Sequence, residues 1–215
     1  MNLKRYLDVY FITDSNFGYT HEELAEMVLR AGVRIIQFRE KKMSTREMVE
    51  TAKRLRKLTS EYNALFIVND RIDVALACDA DGVHLGQDDM PAEIAREIFD
   101  GIIGISTKNV TQAMNAEKYA DYIGAGPIFP TKTKKDAGKV IGIHGLAEIV
   151  RAVSVPVVAI GAINRNNVLD VLKVGADGVA VISAIAAAPN PEDEARTLVE
   201  IVREYKSRGQ SVISK

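Results

Sequence analysis

The 215-residue chain is short of several things, and each shortage excludes a class of protein. It has one cysteine, Cys78, so no intrachain disulfide can form and a reducing compartment is expected. Neither sign of charge is in excess: 28 basic and 29 acidic residues leave a formal net charge of -1. That excludes a generally basic nucleic-acid binder. No apolar run approaches the ~18 residues that span a bilayer, so no membrane partner is expected. The opening stretch carries Lys4, Arg5 and Asp8 and leads straight into a strand-like run, so no signal peptide is expected either. No Ser/Gly/Pro-rich linker interrupts the chain. A cytoplasmic protein is the expectation. What is present is ordinary: 47% hydrophobic and 27% charged residues, too apolar for a disordered chain.

Short runs rich in Val and Ile read as buried parallel strands, and 3.6-periodic stretches read as helices. Strand-like runs fall near Val9–Ile12, Val33–Phe38, Ala64–Val68, Gly82–Leu85, Ile102–Ile105, Tyr122–Ala125, Val155–Ile160 and Gly178–Ile182. A helical stretch follows each. Thr20 and Glu23, like Ser44 and Glu47, have capping-box spacing. Gly32 is placed to stop the first helix. Asn190-Pro191 opens the last, with Ala195, Leu198, Val199, Val202 and Tyr205 as its buried stripe. Ala80-Asp81-Gly82-Val83 recurs as Ala176-Asp177-Gly178-Val179, and more weakly as Ala120-Asp121-Tyr122-Ile123. Eight βα units with a loose repeat and no linker predict a single (β/α)8 TIM barrel over residues 1–215. A doubly wound sheet is the alternative, but Thr13-Asp14-Ser15-Asn16 is no Gly-rich loop. The polar stretch 207–215 is expected to be an unordered tail.

In a barrel, function collects where strands end. After the second strand, alternation puts Gln37, Arg39 and Lys41 on one side and Phe38 and Glu40 on the other. Two cations and an amide there suit an anionic ligand, although spacing alone slightly favours a solvated charged turn. Asp70 follows the third strand and Asp89 the fourth. Each alone is more often a helix cap, but together they could hold one hard cation. The sixth strand leads into a long connection, Gly126 to Ile143, whose hydroxyls and lysines suit phosphate oxygens. Gly161 and Ile182-Ser183 end the last two strands, where barrels often bind phosphate. Ser106 is a helix-start hydroxyl or a ligand contact. His84 reads as a satisfied interior histidine, Cys78 as a small buried hydrophobe, and His21 and His144 as structural.

Joined in order, these stretches resemble the thiamine phosphate synthase family. The motifs are Gln37-Phe38-Arg39-Glu40-Lys41, Val68-Asn69-Asp70, Asp81 to Asp89, Gly126 to Lys134, and Ala176-Asp177-Gly178. The resemblance spans nearly the whole chain, and it, not the spacing, names the reaction. It implies condensation of a hydroxymethylpyrimidine diphosphate with a thiazole phosphate, releasing diphosphate. It implies Arg39, Lys41, Ser106 and Lys134 as catalytic residues. Gln37, Phe38, Glu40, Asn69, Thr131, Thr133, Gly161, Ile182 and Ser183 become substrate contacts, and Asp70 and Asp89 ligands of Mg²⁺. One departure is Ala162, where the family often has a second glycine; a positive φ there would strain alanine. The partners implied are small molecules only, and the sequence assigns no oligomeric state. Two rivals are an isomerase of the thiazole tautomerase type and a non-catalytic phosphate-ligand sensor. The paired carboxylates and the Gln37–Lys41 cations argue against both.

Overall fold

Eight parallel strands close into a barrel in chain order: β1 Val9–Thr13, β2 Ile35–Phe38, β3 Leu65–Asn69, β4 Gly82–Leu85, β5 Ile102–Thr107, β6 Tyr122–Ala125, β7 Val157–Ile160 and β8 Gly178–Val181, with β8 pairing back onto β1. This computed structural model describes residues 2–131, 133 and 138–213, with side chains to 208. Around the strands lie α1 His21–Arg30, α2 Thr45–Glu61, α3 Ile72–Ala77, α4 Ala92–Ile98, α5 Val110–Ala116, α6 Gly142–Ala152, α7 Val168–Lys173, α8 Ser183–Ala186 and α9 Pro191–Ile213. None is long and apolar enough to cross a membrane, among the described residues.

The predicted starts and stops have physical counterparts. Thr20 and Ser44 form complete capping boxes with Glu23 and Glu47. Gly32, at φ +96°, ends α1 in the left-handed region. Asp193 N donates to Asn190 Oδ1 at 3.2 Å at the start of α9. Val155-Pro156 falls outside β7, because Pro156 has no N–H to give a ladder; its carbonyl accepts from Ile123 N. Helix α9 extends into the stretch expected to be an unordered tail, with Arg208 paired to Glu204 one turn back.

The core has two layers. Outward-facing residues such as Phe11, Ile36, Phe38, Phe66 and Val83 pack against the helices. The barrel interior is smaller: Leu7, Tyr10, Ile12, Ile35, Leu65, Ile67, Tyr122, Val158 and Ala180. Two bulky rings fit because their neighbours have none. A Cβ on Gly104 would lie 2.1 Å from Tyr122 Cζ, and one on Gly124 would lie 2.9 Å from His84 Cε1.

The repeat explains how the N-terminal rim is stitched. Asp81 Oδ2 accepts from Phe66 N at 2.8 Å, Asp121 Oδ2 from Ile103 N at 2.8 Å, and Asp177 Oδ2 from Val157 N at 2.9 Å. Each aspartate, just ahead of an even-numbered strand, thus holds the start of the odd-numbered strand before it. Arg56, Arg96 and Lys4 pair with these carboxylates. Ahead of β2 the equivalent position is Arg34, and that copy is missing. At the seam between β8 and β1, Lys206 of α9 donates to Asp8 Oδ1 and to the Asp177 carbonyl, both at 2.5 Å.

Candidate functional site

The C-terminal rim opens into a cavity of about 230 Å³. Lys41, Asp70, Asp89, Ser106, Thr131, Thr133, Gly161, Ile182 and Ser183 all line it. These nine come from loops or strand ends spread around the barrel, so the fold brings together most of the residues implied by sequence. Lys134 lies outside the described residues.

The second strand's exit divides as alternation predicts. Gln37 points into the barrel, where its Nε2 donates to Tyr10 Oη at 2.8 Å. Arg39 Nη1 donates to Asp14 Oδ2 at 2.9 Å, across from the end of β1. Lys41 Nζ reaches Asp70 Oδ2 at 2.5 Å. Phe38 and Glu40 turn away, and their side chains are not part of the cavity wall. Phe38 is fully buried and meets His21 edge-on at 4.8 Å between centroids. Glu40 accepts from the amides of Lys41 and Lys42 at 2.6 Å, from Ser15 Oγ at 3.1 Å, and pairs with His21 Nε2 at 3.1 Å. Burial alone would raise its pKa. The bonds from His21, the two amides and Ser15 outweigh burial and bring the carboxyl down to about 2. Phe38 and Glu40 thus brace the loop that presents Arg39 and Lys41.

Asn69 is the last residue of β3 and is nearly buried. The next residue, Asp70, has φ +60°, a conformation aspartate tolerates better than most residues. Its amide donates to the His84 carbonyl at 2.8 Å, tying β3 to β4. This left-handed step turns the carboxylate toward Asp89, which it meets within hydrogen-bonding reach. Asp89 Oδ2 also accepts from Gly86 N at 2.6 Å. Burial first, and the facing Asp70 second, push the Asp89 carboxyl above its usual range, against the opposing pull of Gly86 N and Lys41. Lys41 on Asp70 answers only part of the negative charge of two carboxyls so placed. No cluster of three or more His, Cys, Asp or Glu that could hold a metal occurs among the described residues. A divalent ion here would take two protein carboxylates and complete its shell with water and phosphate, the donor set magnesium favours. The residues fit that ion.

On the opposite side, the β6 connection is laced to the end of β7. Ile128 N donates to the Ile160 carbonyl at 2.9 Å and Phe129 N to the Gly161 carbonyl at 3.2 Å. Gly161 is at φ +117°, and a Cβ there would come within 2.7 Å of Ile128 N and Pro127 Cα. Only glycine permits that approach. Ala162 follows at φ +50°, so this alanine does sit in the left-handed region. Thr133 Oγ1 donates to Ser183 Oγ at 3.0 Å, joining the loop to the start of α8.

Sequence reasoning underrated the residues beneath the cavity. His84 is indeed an interior histidine with partners, Tyr122 Oη at Nδ1 and Ser106 Oγ at Nε2, each at 2.9 Å. Tyr10 and Tyr122 were not singled out at all, and their hydroxyls lie 2.8 Å apart. Burial pushes both phenols well above their ordinary pKa, so both stay protonated. The available signal was the glycine pair at 104 and 124, whose missing side chains leave room for rings.

A closed barrel with an acidic pair, a lysine and a hydroxyl-lined loop on its C-terminal rim belongs to the class of (β/α)8 proteins, whose sites gather on that rim. Comparison with known proteins narrows the class. The chain belongs to the thiamine monophosphate synthase family, whose sequence profile matches residues 9–185. It is therefore a member of a transferase family. A thiamine-phosphate synthase of Archaeoglobus fulgidus is 69% identical over 205 residues, covering 95% of this chain and 98% of the relative. One of Pyrococcus furiosus is 52% identical over 206 residues, covering 95% and 99%. A solved thiamine phosphate pyrophosphorylase from Pyrococcus furiosus superposes with a TM-score of 0.90 at 50% identity, over 94% of this chain and 98% of that one.

Proposed function

We propose that the chain joins 4-amino-5-hydroxymethyl-2-methylpyrimidine diphosphate to a thiazole phosphate, giving thiamine phosphate and diphosphate, with Mg²⁺ as cofactor. The observation that supports this most is the Asp70–Asp89 pair with Lys41 against it, on the same rim as the Thr133–Ser183 link. One arm of the cavity thus suits a metal-bound diphosphate and the other a monophosphate.

Asp70 and Asp89 would hold the ion, which when bound would supply positive charge to the departing diphosphate. Its +2 would balance their -2 and release Lys41 from Asp70, so that Lys41, Arg39 and Lys134 face the leaving group. The C–O bond of the pyrimidine diphosphate breaks with its electron pair going to diphosphate. The thiazole nitrogen then donates its lone pair to the pyrimidine methylene carbon, forming the new C–N bond. No protein nucleophile is needed, so the side chains orient two substrates and stabilise charge. Asn69 and Ser106 hold the pyrimidine half, with Gln37 acting from beneath the cavity through Tyr10 rather than by direct contact; Thr131, Thr133, Gly161, Ile182 and Ser183 hold the thiazole phosphate. Asp14 keeps Arg39 at the rim. The reading places the enzyme in the cytoplasm, in keeping with its one buried cysteine, whose thiol burial pushes up to about 11.

Incubation of purified protein with both substrates and Mg²⁺ should release diphosphate, and EDTA should abolish the release until Mg²⁺ is restored. Binding without release would favour the sensor. Full release in EDTA would remove Asp70 and Asp89 from the metal role.

A further inference from the structure

A line of hydrogen bonds crosses the barrel beneath the cavity, and its direction can be counted. Gln37 Nε2 donates to Tyr10 Oη at 2.8 Å. Tyr10 Oη lies 2.8 Å from Tyr122 Oη, which lies 2.9 Å from His84 Nδ1. His84 Nε2 lies 2.9 Å from Ser106 Oγ. The line runs through β2, β1, β6, β4 and β5, and Ser106 alone of its members borders the cavity.

Each hydroxyl owns a single hydrogen. Tyr10 already accepts from Gln37, and among the described residues its other hydrogen-bond partner is Tyr122. Both rings are fully buried, and a buried hydrogen left unpaired costs about 1–3 kcal/mol. The Tyr10 hydrogen therefore points to Tyr122. The Tyr122 hydrogen in turn points to His84 Nδ1. That nitrogen must be an acceptor, so the imidazole carries its proton on Nε2 and gives it to Ser106 Oγ. The serine's own hydrogen is left over, facing the cavity.

We infer that the Gln37–Tyr10–Tyr122–His84 line is a positioning device that fixes Ser106 as a hydrogen-bond donor, so that the substrate atom it meets is an acceptor: a ring nitrogen or a phosphate oxygen rather than an amino group. The inference rests on the proposed reaction only for what fills the cavity. The direction is set at its far end, where an amide donates. Glutamate at position 37 would accept instead, and every hydrogen in the line would reverse.

The test is ¹⁵N NMR of protein labelled at its three histidines, with His84→Gln assigning the His84 signals. In the wild type, His84 should be neutral and protonated at Nε2. In Gln37→Glu the proton should move to Nδ1. An Nδ1-protonated or doubly protonated wild type would overturn the inference, as would a tautomer unchanged in Gln37→Glu. Tyr122→Phe keeps the ring and cuts the line. It should lower kcat about 10-fold, the low end for a group that orients a contact residue, with KM for thiazole phosphate within twofold. A lowered melting temperature with kcat unchanged would show a purely structural role. The tautomer is read without substrate, so it can hold even if no diphosphate is released, and the two ideas fail separately.

Discussion

The two rims of the barrel use the same side chain in opposite ways. On the N-terminal rim, Asp81, Asp121 and Asp177 each accept a strand amide and pair with a cation. Their charge is fully answered within the protein. On the C-terminal rim, Asp70 and Asp89 face each other and share the single cation Lys41 among the described residues, and Asp89 is held above its usual range. Asp70 takes a left-handed backbone to reach that position, and Ala162 takes another across the cavity. One rim relieves its carboxylates and the other loads them. A frustrated pair is what a site keeps when a ligand is to complete it.

The contrast can be broken first at its most loaded point. Asp89→Asn should lower diphosphate release by about 10²-fold or more while leaving the melting temperature unchanged or raised. A variant with near-normal turnover in Mg²⁺ would put the acidic pair outside the chemistry. Glu40 comes next, because it is the satisfied carboxylate of the loaded rim. Its folded pKa of about 2 lies below the ordinary 4.5, so its stabilisation is present above about pH 4.5 and fades as pH falls toward 2. Glu40→Gln should cost roughly 3 kcal/mol at pH 7, with the gap narrowing in melts at pH 3. A pH-independent gap would mean that shape, not charge, holds the loop.

On the other rim, Asp121→Ala leaves Ile103 N and Arg96 without that carboxylate. A loss of about 1–3 kcal/mol is expected, with turnover per folded molecule unchanged. An equal loss of kcat would show that the rims are coupled. The smallest effect belongs to Ala162→Gly. Relief of about 1–2 kcal/mol of left-handed strain is partly offset by about 0.4–1 kcal/mol of added unfolded-state entropy. A modest rise in the denaturation midpoint should follow; a fall would mean that the alanine methyl packs usefully.

Much of this was legible in the chain, for reasons tied to particular residues. Buried parallel strands announce themselves by apolar runs, and the eight were found with ends shifted by a residue or two. Capping boxes at Thr20 and Ser44 are local, so spacing sufficed. The Asp81, Asp121 and Asp177 repeat was visible, but not its purpose, because the amide each one holds begins a strand 15 to 20 residues earlier. The alternation that turned Gln37, Arg39 and Lys41 together was sound. It also put Phe38 and Glu40 on the other side, where they pack and bond against His21. Least legible was the line under the cavity. Tyr10 and Tyr122 are 112 residues apart, and nothing in either neighbourhood marks the other as its partner until the barrel closes.

Lys206 shows what that closure depends on. Its ammonium clasps the starts of both β8 and β1, which among the described strands are the neighbours drawn from far-apart parts of the chain. During synthesis, seven of the eight strand pairings can form as the chain lengthens, but the eighth gains its fastener only after position 206 has emerged. The last helix is thus a latch as much as a wall, and a chain shortened ahead of that lysine would leave the join to its strand ladder without this clasp.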